Sequence, residues 1–92
     1  MTKRLSDKRL QEIRTECERL FERLGYTVIY GLGNFKDGVC LVQNERKLVV
    51  NQYTPVEIQV DFFLKVLRSL NLKGVYILPA LRELVEQNSN SD

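Results

Sequence analysis

The sequence predicts a single α+β domain, and three observations support this. The chain has 92 residues, a usual length for one domain. Three segments carry apolar residues at the three-and-four spacing of an amphipathic helix. Four shorter segments are rich in the β-branched and aromatic residues that favour strands. In chain order they read α-β-β-β-α-β-α, which predicts a mixed four-stranded sheet with the helices mainly on one face.

The first predicted helix covers residues 6–24. Ser6 suits its N-cap, and Gly25 suits the position after its end, where a positive φ favours glycine. The opposite face mixes basic and acidic side chains, which is typical of a solvated surface. The apolar stripe consists of Leu10, Ile13, Cys17, Leu20, Phe21 and Leu24.

Three strands are predicted next, at residues 26–30, 39–43 and 47–52. A glycine-containing loop at 31–38 and a short turn at 44–46 connect them. Consecutive strands joined in this way usually pair antiparallel, so they predict an antiparallel meander. The glycine loop leads into a strand and not into a helix, so it does not match a dinucleotide-binding fingerprint.

The second predicted helix begins at Thr54-Pro55-Val56-Glu57, which has the pattern of a capping box, and runs to Leu70. A wholly apolar strand at Val75–Leu78 follows, and a last helix runs from Pro79 to Gln87. The crossover through the second helix would set the fourth strand parallel to the third. The polar residues 88–92 predict a disordered tail after a domain at 1–87.

The composition excludes several kinds of chemistry. The chain has no histidine, so it has no Ser-His-Asp triad, no Cys-His pair and no histidine metal site. We expect no metal and no cofactor. Cys17 and Cys40 fit buried thiols in a reducing compartment, which predicts a cytoplasmic protein, and a disulfide between them is the less favoured alternative. No apolar run approaches the roughly 20 residues that span a bilayer, so no membrane partner is expected.

The charge is nearly balanced, with fourteen basic and twelve acidic side chains and a net charge of +2. Proteins that bind polyanions usually show a stronger basic bias. The balance therefore gives little support to a nucleic-acid partner.

The element order resembles the core of the restriction-endonuclease-like fold. That family places an aspartate at the second strand and Glu-x-Lys on the third, and together these bind a divalent metal. Asp37 stands where the aspartate would be, but the third-strand positions are Asn51 and Tyr53. Glu45-Arg46-Lys47 spells Glu-x-Lys within the predicted turn. The resemblance implies at most an inactive relative that contacts nucleic acid without a metal pair.

The chain also resembles a group of small uncharacterised bacterial proteins. The shared features are a loop stretch, a strand end and a helix start. They are Asn34-Phe35-Lys36-Asp37-Gly38, Val49-Val50-Asn51 and Thr54-Pro55. No activity is associated with that group, so this resemblance implies no mechanism.

Polar side chains collect at one edge of the predicted sheet, where the second strand begins and the third ends. We hypothesise a binding surface at this edge, beside the glycine-containing loop. The favoured alternative is that Asp37 and Asn51 satisfy backbone groups at strand ends. The candidate binding residues are Asn34, Lys36, Asp37, Asn51 and Tyr53.

The second helix carries more apolar residues than one stripe needs, namely Ile58, Phe62, Leu64 and Val66. A small two-layer domain cannot easily cover all of them. We therefore expect a homodimer, or a docked protein partner, through Ile58 and Phe62 or through the sheet face. An equally weighted alternative is that the other two helices already cover this surface.

Two functions follow from these patterns. The first is a non-catalytic interaction or assembly domain, expected to be dimeric. The second is a nucleic-acid-associated domain derived from an inactive nuclease-like core. An enzyme is the weaker third option, because no acid and base are brought together by sequence spacing.

Overall fold

The computed structural model describes residues 6–31, 38–42 and 45–87, so the predicted tail at 88–92 lies outside it. The α+β class is confirmed. The elements are α1 (Asp7–Arg23), β1 (Tyr26–Gly31), β2 (Gly38–Val42), β3 (Glu45–Asn51), α2 (Val56–Ser69) and α3 (Pro79–Gln87).

The first helix forms as its capping pattern predicts. The Ser6 hydroxyl oxygen accepts a hydrogen bond from the Arg9 amide at 3.2 Å, which satisfies one of the free amides of the first turn. Gly25 follows the last turn with a φ of 90°, a conformation that costs a residue with a Cβ more than it costs glycine. The apolar stripe of α1 is buried from Leu10 to Phe21.

The sheet differs from the prediction. The described residues contain three strands in the order β1-β3-β2, so the four-stranded sheet is wrong. β2 pairs antiparallel with β3, but β1 pairs parallel with β3, so the full antiparallel meander is also wrong. Two residues separate β2 from β3, whereas the six at 32–37 separate β1 from β2. A six-residue connection is long enough for another strand to lie between the two strands that it joins. A two-residue turn is too short for this, so β2 and β3 must be neighbours.

The expected fourth strand at Val75–Leu78 does not form; the segment is irregular and pairs with no described strand. Ile77 is buried in the core, whereas Tyr76 and Leu78 are exposed. The Arg23 guanidinium donates to the Tyr76 carbonyl at 3.2 Å, which places the segment beside the end of α1. A short apolar run cannot by itself distinguish a buried strand from a connection that lines a helical core.

The capping box expected at the start of α2 is also wrong. The N-cap residue is Pro55, and no side chain caps the helix there. The Thr54 amide instead donates to the Asn51 carbonyl at 3.1 Å, so Thr54 belongs to the turn that follows β3.

The core lies on one face of the sheet, where α1 contacts β1, and α3 packs against α1 and α2. Side chains alternate along β1, with Tyr26, Val28 and Tyr30 packed against the core and Thr27 exposed. Leu48 and Val50 of β3 are fully buried on the same face. The rings of Phe21 in α1 and Phe63 in α2 lie 5.6 Å apart between their centres, which joins the two helices at the middle of the core.

Candidate functional site

Three strand ends meet at one edge of the sheet. Gly31 at the end of β1 lies opposite Asn51 at the end of β3, and β2 begins at Gly38 opposite Val49. The Gln52 amide donates to the Gly31 carbonyl at 2.8 Å. The carboxyl ends of parallel strands are a common place for ligands, so this edge is one candidate site.

The structure describes only part of the predicted binding set. Asn34, Lys36 and Asp37 lie outside the described residues. The Asn51 side-chain oxygen accepts a hydrogen bond from the Tyr53 amide at 3.0 Å. This matches the alternative to a binding role, in which Asn51 satisfies a backbone group at the end of a strand. The Tyr53 side chain is largely exposed to solvent. A binding role for the edge stays a prediction.

A glutamine holds this edge to the helices. Gln59 of α2 is only 2% exposed, and its amide nitrogen donates to the Asn51 carbonyl at 3.0 Å. Its amide oxygen accepts from Nη1 of Arg14 in α1 at 2.7 Å. Both ends of the buried carboxamide are therefore hydrogen-bonded, as a buried polar group requires.

Gln59 was not among the residues predicted from the sequence, although a signal existed. Gln59 lies three residues after Val56 and four before Phe63, so it falls on the apolar stripe of α2. A polar side chain on such a stripe needs an internal partner.

Arg14 extends the network to β1. Its guanidinium carbon lies 5.7 Å from the centre of the Tyr30 ring, and the Tyr30 hydroxyl donates to the Glu18 carboxylate. Burial raises the pKa of Tyr30, and the hydrogen bond to Glu18 raises it further. Tyr30 is thus protonated at neutral pH and serves as a donor, not as a general base. We call Arg14, Glu18, Tyr30, Asn51 and Gln59 the Gln59 cluster.

Cys17 is fully buried and free, so the interpretation of this residue as a structural thiol fits its surroundings. Burial raises its pKa to about 12, and Glu18 and Glu16 add to the effect. Because the thiolate is the nucleophile, this thiol is inert at neutral pH. The Cys40 side chain lies outside the described residues. Within the described residues, no three cysteine or carboxylate side chains lie close enough together to hold a metal ion.

A second candidate site is a groove of about 230 Å³ between α1 and the start of α3, which we call the α1/α3 groove. Ile13 and Leu81 are almost fully buried at its base, and Leu78 is 39% exposed beside them. Charged side chains from α1 lie at its margin. The lining consists of Arg9, Glu12, Ile13 and Glu16 of α1 with Leu78, Ala80 and Leu81. The sequence analysis missed it because Leu78 was assigned to a strand.

The predicted interface on α2 is partly covered. Leu64 and Val66 are buried, and Phe62 packs partly against the core. Ile58 is 50% exposed. The apolar surplus of α2 is thus reduced to Ile58 and the accessible part of Phe62, one turn later.

Comparisons with known proteins identify no relative. No family model matches the chain, and neither a curated protein nor a solved structure matches it. In the part of the chain that the structure describes, no helix has the length and apolar character needed to cross a membrane.

Replacing Gln59 with leucine should lower the free energy of unfolding by about 1–3 kcal/mol, because Arg14 and the Asn51 carbonyl each lose a buried partner. Urea denaturation measures this. Gln11→Leu, at an exposed position of α1, is the matched control and should change stability by less than about 0.5 kcal/mol. Equal effects of the two substitutions would show that the bridge does not stabilise the fold.

Replacing Tyr30 with phenylalanine removes the hydroxyl that donates to Glu18. Since the folded state raises the pKa of Tyr30 above its usual value of about 10, the stabilisation from the hydroxyl is complete below that pH. It is lost as pH rises through the folded-state pKa. We expect the stability difference between wild type and Tyr30→Phe to be constant up to about pH 10 and to shrink above it.

Urea denaturation at a series of pH values measures that difference. Tyr53→Phe, at an exposed tyrosine, is the control and should match the wild type at every pH. A Tyr30→Phe difference that grows in alkali would contradict the assigned direction of the pKa shift.

Proposed function

We propose that this chain is a non-catalytic interaction domain that binds another polypeptide in the α1/α3 groove. The observation that carries the proposal is the exposed Leu78 beside the apolar base formed by Ile13 and Leu81. Concave apolar surface with a few polar groups around it is where ligands commonly bind, whereas one exposed leucine on a flat surface would be ordinary.

The state of the reactive groups supports a binding role over a catalytic one. Cys17 and Tyr30 have raised pKa values and are protonated at neutral pH. The Gln59 cluster uses its polar atoms to join α1, α2 and β3. Asn51 and Gln59 at the sheet edge are therefore engaged in the fold, while the groove remains accessible.

The size of the groove favours a side chain over a whole small molecule. Pockets for drug-sized ligands usually measure about 300–1,000 Å³. The α1/α3 groove, at about 230 Å³, is smaller and is partly open to solvent. One inserted side chain of a protein partner fits this space.

The nucleic-acid alternative receives less support from the surface charges. Arg9, Arg19 and Arg82 each lie within 4 Å of a glutamate of their own helix. Such pairing divides the surface into small patches of both signs. Phosphate binding draws on clustered positive charge, and three of the helical arginines lie beside carboxylates that reduce it.

Self-association through α2 stays a prediction, and the exposure of Ile58 is the observation in its favour. The cytoplasmic location also stays a prediction, which was drawn from the two cysteines and from the lack of a long apolar run. The α2 surface and the α1/α3 groove share no residue, so substitutions can test them separately.

Selection from a random-peptide display library against the intact chain tests the proposed function. We expect selected peptides to bind the wild type and to lose at least about tenfold in affinity with Leu78→Asp, because a carboxylate at the groove opposes an apolar ligand. Ile58→Asp is the matched control, since it places the same charge at an exposed apolar position outside the groove. Circular dichroism confirms that both variants fold.

If the library yields no binder, or if the binders tolerate Leu78→Asp, the groove is not a peptide-binding site. The nucleic-acid alternative would be favoured if the chain binds single-stranded or duplex DNA and binds no peptide. The affinity for DNA should then fall steeply as the salt concentration rises.

Sedimentation velocity at micromolar concentrations tests the α2 prediction. If α2 forms a dimer interface, the wild type sediments as a dimer and Ile58→Asp as a monomer, because the substitution would bury a charge between two copies. Leu78→Asp should leave that dimer intact. A wild type that stays monomeric would exclude self-association at these concentrations.

A further inference from the structure

The free side of β1, which is the side that faces away from β3, is a second interaction surface, separate from the α1/α3 groove. β1 lies at the border of the sheet, because the strand order is β1-β3-β2 and β3 is its only neighbour among the described strands. We propose that two copies of this chain pair antiparallel along the free side of β1 and so join their sheets into one. This inference is independent of the proposed function.

The ladder with β3 decides which backbone groups of β1 point to its free side. The Gly31 carbonyl accepts from the Gln52 amide at 2.8 Å, so the backbone groups of Gly31 face β3. These groups alternate between the two sides of a strand, so those of Thr27 and Ile29 also face β3 across the unbroken register. The N–H and C=O groups of the alternate residues point to the free side, where no described residue bonds them. These residues are Tyr26, Val28 and Tyr30.

β1 lacks the features that protect edge strands from pairing with another chain. Natural edge strands are commonly protected by a charged side chain, a proline or a bulge. The sequence of β1 is Tyr-Thr-Val-Ile-Tyr-Gly, and its register with β3 runs without interruption from Tyr26 to Gly31. Two such uncharged strands meet without like-charge repulsion. The composition of β1 therefore favours a second copy of itself over a charged peptide.

A second copy fits because β1 is self-complementary in one antiparallel register. When Val28 lies opposite the partner's Val28, Tyr26 lies opposite the partner's Tyr30, and the residues with free backbone groups meet each other. Each such pair exchanges both of its N–H to C=O hydrogen bonds, so every free group of these residues is satisfied. A register centred on Ile29 would instead place Tyr26 opposite residue 32, beyond the end of β1.

The helical layer leaves the free side of β1 accessible. Leu48 and Val50 of the central strand are 0% exposed, whereas the core-facing residues of β1 remain partly exposed. The helices therefore cover β3 fully and β1 only in part. In the proposed pair, the Tyr26 ring would cover the partner's Tyr30 on this face, and aromatic pairs across strands stabilise antiparallel sheets.

The opposite face of β1 supplies a test of the register, because its side chains are exposed. Thr27 would lie directly opposite the partner's Ile29 in a non-hydrogen-bonded pair, with Cα atoms about 4.5 Å apart, which a disulfide can join. Thr27 and the partner's Thr27 would be diagonal neighbours about 7–8 Å apart, beyond the usual disulfide range. The same holds for Ile29 and the partner's Ile29.

Disulfide cross-linking of two single-site variants measures this difference. Thr27→Cys and Ile29→Cys are each made with Cys40→Ser, and Cys17 is kept because it is fully buried. We expect an equal mixture of the two chains to cross-link at least about tenfold faster than either chain alone, because pairing raises the effective concentration of the two thiols. Gln11→Cys mixed with Thr27→Cys is the control, since Gln11 is exposed on α1, and it should show no such gain.

Sedimentation velocity at micromolar concentrations supplies a second measurement through charge. Thr27→Glu with Ile29→Glu sets carboxylates directly opposite each other across the two copies, so this variant should sediment as a monomer. Thr27→Glu with Ile29→Lys sets opposite charges there and should remain a dimer like the wild type. Circular dichroism checks that both variants fold. Ile58→Asp should leave this dimer intact, which distinguishes it from association through α2.

Three results would overturn the pairing. The first is a mixture that cross-links no faster than its single chains, which excludes the register centred on Val28. The second is a dimer that Ile58→Asp dissociates and that the charges at positions 27 and 29 leave unchanged, which assigns the contact to α2. The third is a wild type that stays monomeric while the amides of Tyr26 and Val28 shift on addition of a selected peptide, which gives the free side of β1 a peptide occupant.

Discussion

The carboxamide of Gln59 joins the helical layer to the sheet, and the arrangement of the remaining polar groups depends on it. It is buried between α1, α2 and the end of β3, and its partners are the Arg14 guanidinium and the Asn51 carbonyl. A buried amide without partners would cost the fold free energy, so α2 is held where both bonds form. Arg14 in turn lies over Tyr30, whose hydroxyl donates to Glu18. The Asn51 end of β3 is thereby joined to both helices.

The α1/α3 groove lies on a different face of α1 from Arg14 and Glu18. The chain leaves α2 through an irregular segment that buries Ile77 and exposes Tyr76 and Leu78. Arg68 of α2 donates to the Val85 carbonyl at 3.0 Å, which fixes the end of α3 against α2. The start of α3 meets α1 less completely, and the groove forms at that incomplete contact. A small domain with one core cannot close every such junction. This one combines an apolar base with charged margins of both signs.

The helices could be predicted from the sequence because apolar periodicity is local, although the capping pattern expected for α2 does not form. The start of α1 at Ser6, the positive φ of Gly25 and the bounds of α3 all follow from neighbouring residues. Strand pairing depends on distant residues, so the parallel pairing of β1 with β3 could not be inferred from turn lengths alone. The apolar run at 75–78 was ambiguous for the same reason. Gln59 could have been found, since a polar residue on an apolar stripe requires a partner.

The most direct test of the account is a nuclear magnetic resonance titration of the isotope-labelled chain with a peptide selected for binding. The account predicts that the backbone amide shifts concentrate at Arg9–Glu16 and Tyr76–Leu81, which border the α1/α3 groove. Shifts concentrated instead at Tyr30, Gly31, Asn51 and Gln52 would contradict it. They would place the binding surface at the sheet edge that the Gln59 cluster occupies.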